Sequence, residues 1–187
     1  GLLPAENSAL AAAMRLAGGL PFKKLSGGLA ALAAPAGRME QVVSSPTDAA
    51  CYVDYAHTPD ALANALKALR PHCEGRLICV FGCGGDRDKG KRAEMGQIAS
   101  HHADSVIITD DNPRTEDAAL IRQEVLQACP KASEFGDRRE AIRAALEIAK
   151  SGDIILVAGK GHEIGQIVGD KIFPFSDHET LRDLVNE

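Results

Sequence analysis

Short runs of apolar residues alternate along most of the chain with longer segments of helical pattern. The apolar runs predict strands at 39–44, 50–54, 76–81, 106–109 and 153–158. The segments between and after them predict helices at 58–70, 91–101, 116–128, 138–150 and 177–185. Continuous apolar strands separated by helices are typical of βαβ units, whose helices cover both faces of a parallel sheet. The pattern therefore predicts a doubly wound, mostly parallel α/β fold.

The two ends of the chain depart from this alternation. Residues 166–175 have the pattern of a hairpin around Gly169 and Asp170, which predicts an antiparallel strand or two at an edge of the sheet. Residues 6–17 and 22–34 have helical patterns that end at glycine or proline. We therefore predict an α/β domain over 36–187, preceded by the helical tail of another domain over 1–35.

Composition narrows the class of protein. The chain has 187 residues, 45% of them hydrophobic and 25% charged, which is ordinary for a globular protein with its own core. A net charge of −5 argues against a nucleic-acid or anionic-membrane surface. There is no apolar run of membrane-spanning length, no basic-then-apolar leader and no CxxC pair among the five cysteines. We expect a cytoplasmic protein with buried free thiols, and neither membrane nor nucleic acid as a partner.

Three loops rich in glycine and charge directly follow predicted strands, at 82–90, 110–116 and 159–165. In open α/β sheets, ligands bind outside the carboxyl ends of the strands. The position of these loops is therefore the strongest indication of a ligand-binding site.

The first loop contains parts of two phosphate-binding motifs but completes neither. Arg87 stands where a dinucleotide fingerprint needs its third glycine, and Arg92 stands where a P-loop needs serine or threonine. The planar guanidinium of Arg87 suits recognition of a carboxylate. The structural alternative is that Asp86 and Asp88 cap the next helix.

The second loop carries Asp110 to Arg114. Pro113 restrains Asn112 to an extended backbone, so that the polar side chains are held rather than mobile. Together Asn112 and Arg114 could bind the zwitterionic head of an amino acid. The alternative is a turn with a helix cap.

Two more segments offer carboxylates. Glu163, in the third loop, could pair with a substrate ammonium, although a tight turn with solvated charges is the alternative. Asp54, at the end of the second strand, could accept from a ribose hydroxyl or hold a cation. No GxSxG nucleophile elbow is present. We predict no metal site, because adjacent residues such as His101 and His102 diverge on a helix.

Taken together, five segments resemble the C-terminal domain of the Mur ligases of peptidoglycan synthesis. They are GRME (37–40), DYAHTPDAL (54–62), FGCGGDRDKGKR (81–92), TDDNPRTE (109–116) and AGKGHE (158–163). The resemblance covers essentially the whole chain, and five motifs in order and in register are far more specific than any one of them.

The resemblance implies an ATP-dependent ligase that forms an amide bond. In such enzymes ATP phosphorylates a carboxylate, here that of D-glutamate in UDP-MurNAc-L-Ala-D-Glu, and the amine of the incoming amino acid attacks the acyl phosphate. The arginine in DNPR implies that this amino acid is meso-diaminopimelate. Its implied pocket residues are Arg87, Asp111, Asn112, Pro113, Arg114, Gly159 and Glu163, and the implied ATP contacts are Arg38, Asp54, His57 and Asn7.

The resemblance extends only to the last of three domains. Residues 1–35 resemble the end of the central ATPase domain, where Asn7 matches one of two asparagines near adenine and Pro4 replaces the other. ATP and Mg²⁺ would be bound mainly by that central domain. We therefore expect this chain alone to be catalytically inactive, and monomeric.

Two alternatives remain. One is a non-catalytic α/β binding or interaction module that has kept the motifs. The other is a Mur-type ligase that uses lysine, which Arg114 argues against because lysine has no second carboxylate.

Overall fold

The computed structural model describes residues 36–187, together with 13–14, 16–19 and 21. The chain divides into two compact units, 1–35 and 36–187. In the first unit, 13–14 and 16–17 are helical and Gly18 and Gly19 form a turn. The rest of the predicted helices at 6–17 and 22–34, and Asn7, lie outside the described residues.

The second unit alternates strands and helices. The strands are β1 (Glu40–Ser44), β2 (Ala50–Asp54), β3 (Leu77–Phe81), β4 (Ser105–Ile108), β5 (Ser133–Glu134), β6 (Ile154–Ala158), β7 (Gly165–Val168) and β8 (Lys171–Pro174). The helices are α1 (Pro59–Leu69), α2 (Gly90–His102), α3 (Ala118–Leu126), α4 (Arg138–Ile148) and α5 (Asp177–Val185), and a 3₁₀ turn, Arg70–His72, follows α1.

Six strands form the main sheet in the order β1-β2-β6-β3-β4-β5. Only β1 is antiparallel to its neighbour. The central strands are parallel, and their register pairs Ala158 with both Asp54 and Phe81, while Phe81 pairs with Ile108. Four strands therefore end at one level, and the loops that follow them leave the sheet side by side.

Helices cover both faces of this sheet, as the continuous apolar strands predict. Leu62 of α1, Met95 of α2 and Val125 of α3 are buried on one face. Ile142 of α4 and Leu181 of α5 are buried on the other. The doubly wound, mostly parallel α/β fold predicted from the sequence is confirmed.

Helix boundaries follow the local capping chemistry. Thr58 caps α1 through its side chain, with Pro59 at the first helical position, as predicted. Helix α3 begins at Ala118, two residues later than predicted, because the Asp117 carboxylate accepts from the backbone N–H groups of Ala119 and Leu120.

The predicted hairpin is present as β7–β8, but it forms a separate two-stranded sheet. The antiparallel edge of the main sheet is supplied by β1 instead. An isolated hairpin is marginal in water. Here it is attached to the loop after β4: Arg114 donates its N–H to the Ile167 carbonyl at 3.1 Å and its own carbonyl accepts from Gly169 at 2.7 Å.

A fully buried ion pair joins the second helical layer to the strand ends. Arg138, at the start of α4, donates from Nε and Nη2 to the two carboxylate oxygens of Asp177, at 2.7 and 2.9 Å. Nη2 also donates to the Ala158 carbonyl at the end of β6, at 3.0 Å. This guanidinium therefore fixes α5 and β6 relative to α4.

Replacing Arg138 with methionine should lower the free energy of unfolding by about 3–5 kcal/mol, because it leaves Asp177 buried without its charge partner. Urea unfolding followed by far-UV circular dichroism measures this loss. Arg143→Met is the control, since Arg143 pairs with Glu187 at the solvent-exposed surface of the same helix. A loss for Arg138→Met no larger than that for Arg143→Met would contradict the assignment.

Candidate functional site

A cavity of about 560 Å³ lies where the four loops leave the carboxyl ends of β2, β3, β4 and β6. It is where the sequence predicted a site. The predicted residues that line it are His57, Arg87, Asp111, Asn112, Arg114, Gly159 and Glu163. Pro113, Arg38 and Asp54 are not among its lining residues.

The loop after β3 is packed tightly against the loop after β4. Gly85 donates its N–H to the Asn112 carbonyl at 2.9 Å. A Cβ at Gly82 would collide with the Thr109 carbonyl oxygen, and one at Gly85 with that of Pro113. These two glycines allow the backbones to approach as closely as they do, and Pro113 contributes to this packing through its carbonyl beside Gly85.

The two acidic residues of this loop have different roles. Asp88 accepts from the Gly90 N–H at 2.9 Å, so it supports the start of α2, as the capping alternative predicted. Asp86 does not cap that helix. It accepts from the Thr115 hydroxyl at 2.8 Å and the Thr115 N–H at 3.1 Å, which links the two loops.

Arg87 lies between these two aspartates and is exposed. Its one hydrogen bond to a described residue is from Nη1 to the Asp86 carbonyl, at 3.1 Å. The guanidinium lines the cavity with most of its donors available.

Arg92 also shapes the site, although in the sequence it stands out only as a departure from a P-loop. Its side chain is 1% exposed and donates to Glu116 at 2.8 Å and to Glu124 at 2.9 Å. Arg92, together with the Asp86 N–H and Lys89, lowers the pKa of Glu116 to about 2. The interaction joins α2 to the residues that follow DNPR.

Arg114 is held in an unusual backbone conformation. Its φ is +52°, a left-handed value that non-glycine residues rarely adopt, and the hairpin bonds to its N–H and carbonyl hold it there. Its Nη1 donates to the Gly85 carbonyl at 2.9 Å and the Asn112 carbonyl at 3.2 Å. Within residues 36–187, no acceptor takes Nε or Nη2, so one edge of the guanidinium is available to a ligand.

Asn112 differs from the expectation that it binds a ligand head directly. Its Oδ1 already accepts from Lys160 Nζ and from the Ile167 N–H, both at 2.9 Å. Its Nδ2 donates to Glu163 Oε2 at 3.0 Å. Most of the amide is therefore engaged within the protein, where it orients the Glu163 carboxylate.

Lys160 and His162, which the sequence left unassigned, face different surroundings. Lys160 is completely buried, and burial lowers the pKa of its ammonium despite the nearby carboxylates of Asp111 and Glu163. The His162 ring lies 5.3 Å from the Tyr55 ring, centroid to centroid. Lys91, also unassigned, donates to the His57 carbonyl at 2.8 Å.

Asp54 organises the loop before β1. Its Oδ2 accepts from the Met39 N–H at 2.6 Å and its Oδ1 from the Ala56 N–H at 2.8 Å. Burial raises the pKa of this carboxyl, against these hydrogen bonds and the charge of Arg38. Both oxygens are already engaged, which leaves Asp54 poorly suited to being a cation ligand.

A cluster of rings and one cation lies beside Asp54. Tyr55 is at its centre, with His57 edge-on at 4.6 Å and the Arg38 guanidinium 5.3 Å from the ring centroid. His57 Nδ1 is 2.8 Å from the Tyr55 carbonyl, which favours the tautomer that leaves Nε2 as an acceptor. Flat rings and a guanidinium are suited to contacting a nucleotide.

No group of three or more histidine, cysteine, aspartate or glutamate side chains with metal-binding geometry occurs among the described residues. The cysteines at 51, 73, 79, 83 and 129 are free, and all but Cys73 are buried. Within the same described ranges, no helix is both long enough and apolar enough to span a bilayer.

A family model described as the Mur ligase glutamate ligase domain matches residues 37–161. The chain belongs to the Mur ligase family. This confirms the resemblance inferred from the five motifs.

Comparisons with individual proteins are more specific. The chain is 53% identical over 181 residues to the UDP-N-acetylmuramoyl-L-alanyl-D-glutamate--2,6-diaminopimelate ligase of Agrobacterium fabrum, an alignment that covers 97% of this chain and 37% of that relative. A solved structure of a ligase of the same name matches with a TM-score of 0.76 at 40% identity, over 94% of this chain and 37% of the other. E. coli FolC in complex with ADP matches with a TM-score of 0.65 at 26% identity, over 82% and 36%. The chain thus spans little more than a third of these proteins.

Acid should weaken the contact between Arg92 and Glu116. Because the folded-state pKa of Glu116 is about 2, below the ordinary value of 4.5, its contribution to stability is complete above pH 4.5 and is lost as the pH falls toward 2. The stability advantage of the wild type over Glu116→Gln should therefore shrink across that interval in urea unfolding.

Glu147→Gln, on an exposed position of α4, controls for the loss of one surface carboxylate. If the difference in unfolding free energy between the wild type and Glu116→Gln stays constant from pH 5 to pH 2, the role of the Arg92–Glu116 ion pair is contradicted.

Proposed function

We propose that this chain is the amino-acid-binding part of an ATP-dependent ligase that adds meso-diaminopimelate to UDP-MurNAc-L-Ala-D-Glu. The names of the relatives at 40–53% identity support the reaction. The observation that carries the proposal is a group of four charges in the cavity: the guanidinium groups of Arg87 and Arg114 and the carboxylates of Asp111 and Glu163. The other charged residues of the lining are Asp60, Asp88, Lys91 and Glu94.

Meso-diaminopimelate has charges that suit these groups: its two carboxylates can pair with the two guanidinium groups and one ammonium with Glu163, because Asp111 already lies 3.4 Å from the buried Lys160 ammonium. It carries two carboxylates and two ammonium groups at neutral pH. The Nε and Nη2 edge of the Arg114 guanidinium is free for a bidentate contact with a carboxylate, and Arg87 adds a second cation. Glu163, oriented by Asn112, is suited to an ammonium. Gly159 leaves the wall of the cavity open beside Asp111 because it has no side chain.

The same charges discriminate against lysine. Lysine lacks the second carboxylate, so it would leave a guanidinium in the cavity without its anionic partner. A site built to bind a polar group rejects an analogue that lacks it more strongly than an apolar pocket rejects a missing methylene. This favours diaminopimelate over the lysine-using alternative.

The ATP contacts of this chain would come from the cluster around Tyr55. Arg38 and His57 supply a cation and a ring acceptor, and Asp54 holds the loop that carries Arg38. The role of Asn7 stays a prediction. When bound, ATP supplies the phosphoryl group that activates the D-glutamate carboxylate. We propose that Mg²⁺ is bound mainly by the central ATPase domain of the ligase.

The part of this chain in the reaction is to hold the amine donor. The amine has to reach the acyl phosphate in the correct orientation, and closure of one domain onto another is a common way to achieve this. We assign residues 1–35 to the end of the central ATPase domain and expect this chain alone to be inactive, monomeric and cytoplasmic. A non-catalytic binding module is the alternative, and it predicts no ligase activity in the complete gene product.

In the complete ligase, Arg114→Ala should raise the apparent KM for diaminopimelate at least tenfold, which is about 1.4 kcal/mol or more of binding free energy. The reason is the loss of the guanidinium that faces the second carboxylate. Steady-state kinetics with varied diaminopimelate at saturating ATP measure it. Arg143→Ala is the control, because Arg143 pairs with Glu187 and does not line the cavity. An unchanged KM for Arg114→Ala would contradict the role of Arg114.

Calorimetric titration of the 187-residue chain should give heat of binding with meso-diaminopimelate and none with lysine. The physical reason is that Arg87 and Arg114 both need a carboxylate partner. The Arg114→Ala variant should lose the preference. Equal heats from the two amino acids with the wild-type chain would overturn the substrate assignment.

A further inference from the structure

Lys160 is an ammonium group in the interior of the protein. Its side chain is 0% exposed, and its Nζ donates to Asn112 Oδ1 at 2.9 Å and to the Gly165 carbonyl at 2.8 Å. The carboxylates of Asp111 and Glu163 are 3.4 and 3.7 Å away. Burying an ammonium group is costly unless partners compensate for its lost hydration, so this arrangement needs a reason.

Two glycines with left-handed backbone conformations flank the buried Lys160. Gly159 and Gly161 have φ values of +117° and +54°. Residues with a side chain rarely adopt this backbone conformation. Between them the chain points Lys160 away from the cavity, while Gly159 and Glu163 line it. Lys160 therefore contacts the residues that form the cavity wall and not the cavity itself.

The charges beneath the cavity do not cancel. Arg138 and Asp177 form a neutral buried pair. Lys160 contributes one positive charge against the two negative charges of Asp111 and Glu163, which leaves one negative charge in excess. Glu163, whose side chain is 34% exposed, is the member of this group most open to the cavity. A ligand ammonium would complete the balance, whereas a ligand carboxylate at the same place would worsen it.

We propose that Lys160 is a positioning residue for the ammonium-binding end of the cavity. It holds the Asn112 amide in place, and that amide in turn donates to Glu163 and sets its direction. It also offsets the charge of one of the two neighbouring carboxylates, Asp111 and Glu163, which leaves room for a single ligand cation. This inference rests on the proposed function, because it assumes that an amino-acid ammonium binds at Glu163.

The first test needs no ligand. The Ile167 N–H donates to the same Asn112 oxygen as Lys160, so its hydrogen exchange reports whether the amide is held. In the 187-residue chain, Lys160→Met should speed exchange at Ile167 at least tenfold, and Lys131→Met, at an exposed position, should not change it. Lys160→Leu, which also removes both the donor and the charge, serves if the methionine variant does not fold. Unchanged exchange at Ile167 in the folded variant would overturn the proposal.

The second test uses the complete ligase and a double-mutant comparison. Lys160→Met should raise the apparent KM for diaminopimelate at least tenfold and change that for ATP less than twofold. If Lys160 acts through Glu163, adding Lys160→Met to Glu163→Gln should cause less than a twofold further change. Fully additive effects, or equal increases in both KM values, would mean a general structural role and overturn the proposal.

The two tests separate this inference from the proposed function. A wild-type ligase that does not use diaminopimelate would refute the proposed function. Even in that case, faster hydrogen exchange of the Ile167 N–H in Lys160→Met would show that Lys160 keeps the Asn112 side chain in place.

Discussion

The in-register parallel pairing of the central strands is the constraint on which the rest of the molecule depends. Because β6 lies between β2 and β3 with Ala158 level with both Asp54 and Phe81, three strands end together, and β4 ends beside them. The loops that follow these strands therefore leave the sheet side by side and meet at its edge. A shift of register in any one pair would move a loop by a residue's length and turn its side chains to the other face.

Buried cations hold these loops together where regular secondary structure stops. Arg92 joins the end of the DNPR region to α2, Arg138 donates to the end of β6 from below, and Lys160 connects the loop after β6 to Asn112. Each donates several hydrogen bonds to groups that would otherwise lie in the interior without partners. Charge-assisted hydrogen bonds therefore fix the walls of the cavity. Arg87, which lines the cavity, differs from these three cations because it is exposed.

The hairpin shows how a peripheral element contributes to the site. Two strands alone would be marginal, yet backbone bonds from β7–β8 keep Arg114 at a positive φ, and the Ile167 N–H contacts the Asn112 side chain. The hairpin was predicted from its turn residues, but as an edge of the main sheet. The sequence did not predict how the hairpin is attached to the domain, because the hydrogen bonds come from the irregular loop after β4 and not from a strand.

The amino-acid sequence alone determined the order of the strands and helices except the two-residue strand β5, the α/β class, the family and the loops that form the cavity. Apolar periodicity, capping residues and motif spacing are local properties of the chain. Tertiary structure alone decided which charged residues point inward. Lys160 between two glycines has the sequence signature of a solvated lysine, and its partner Asn112 is 48 residues away. A charge is buried only when distant groups replace its water, so burial depends on packing that no local pattern contains.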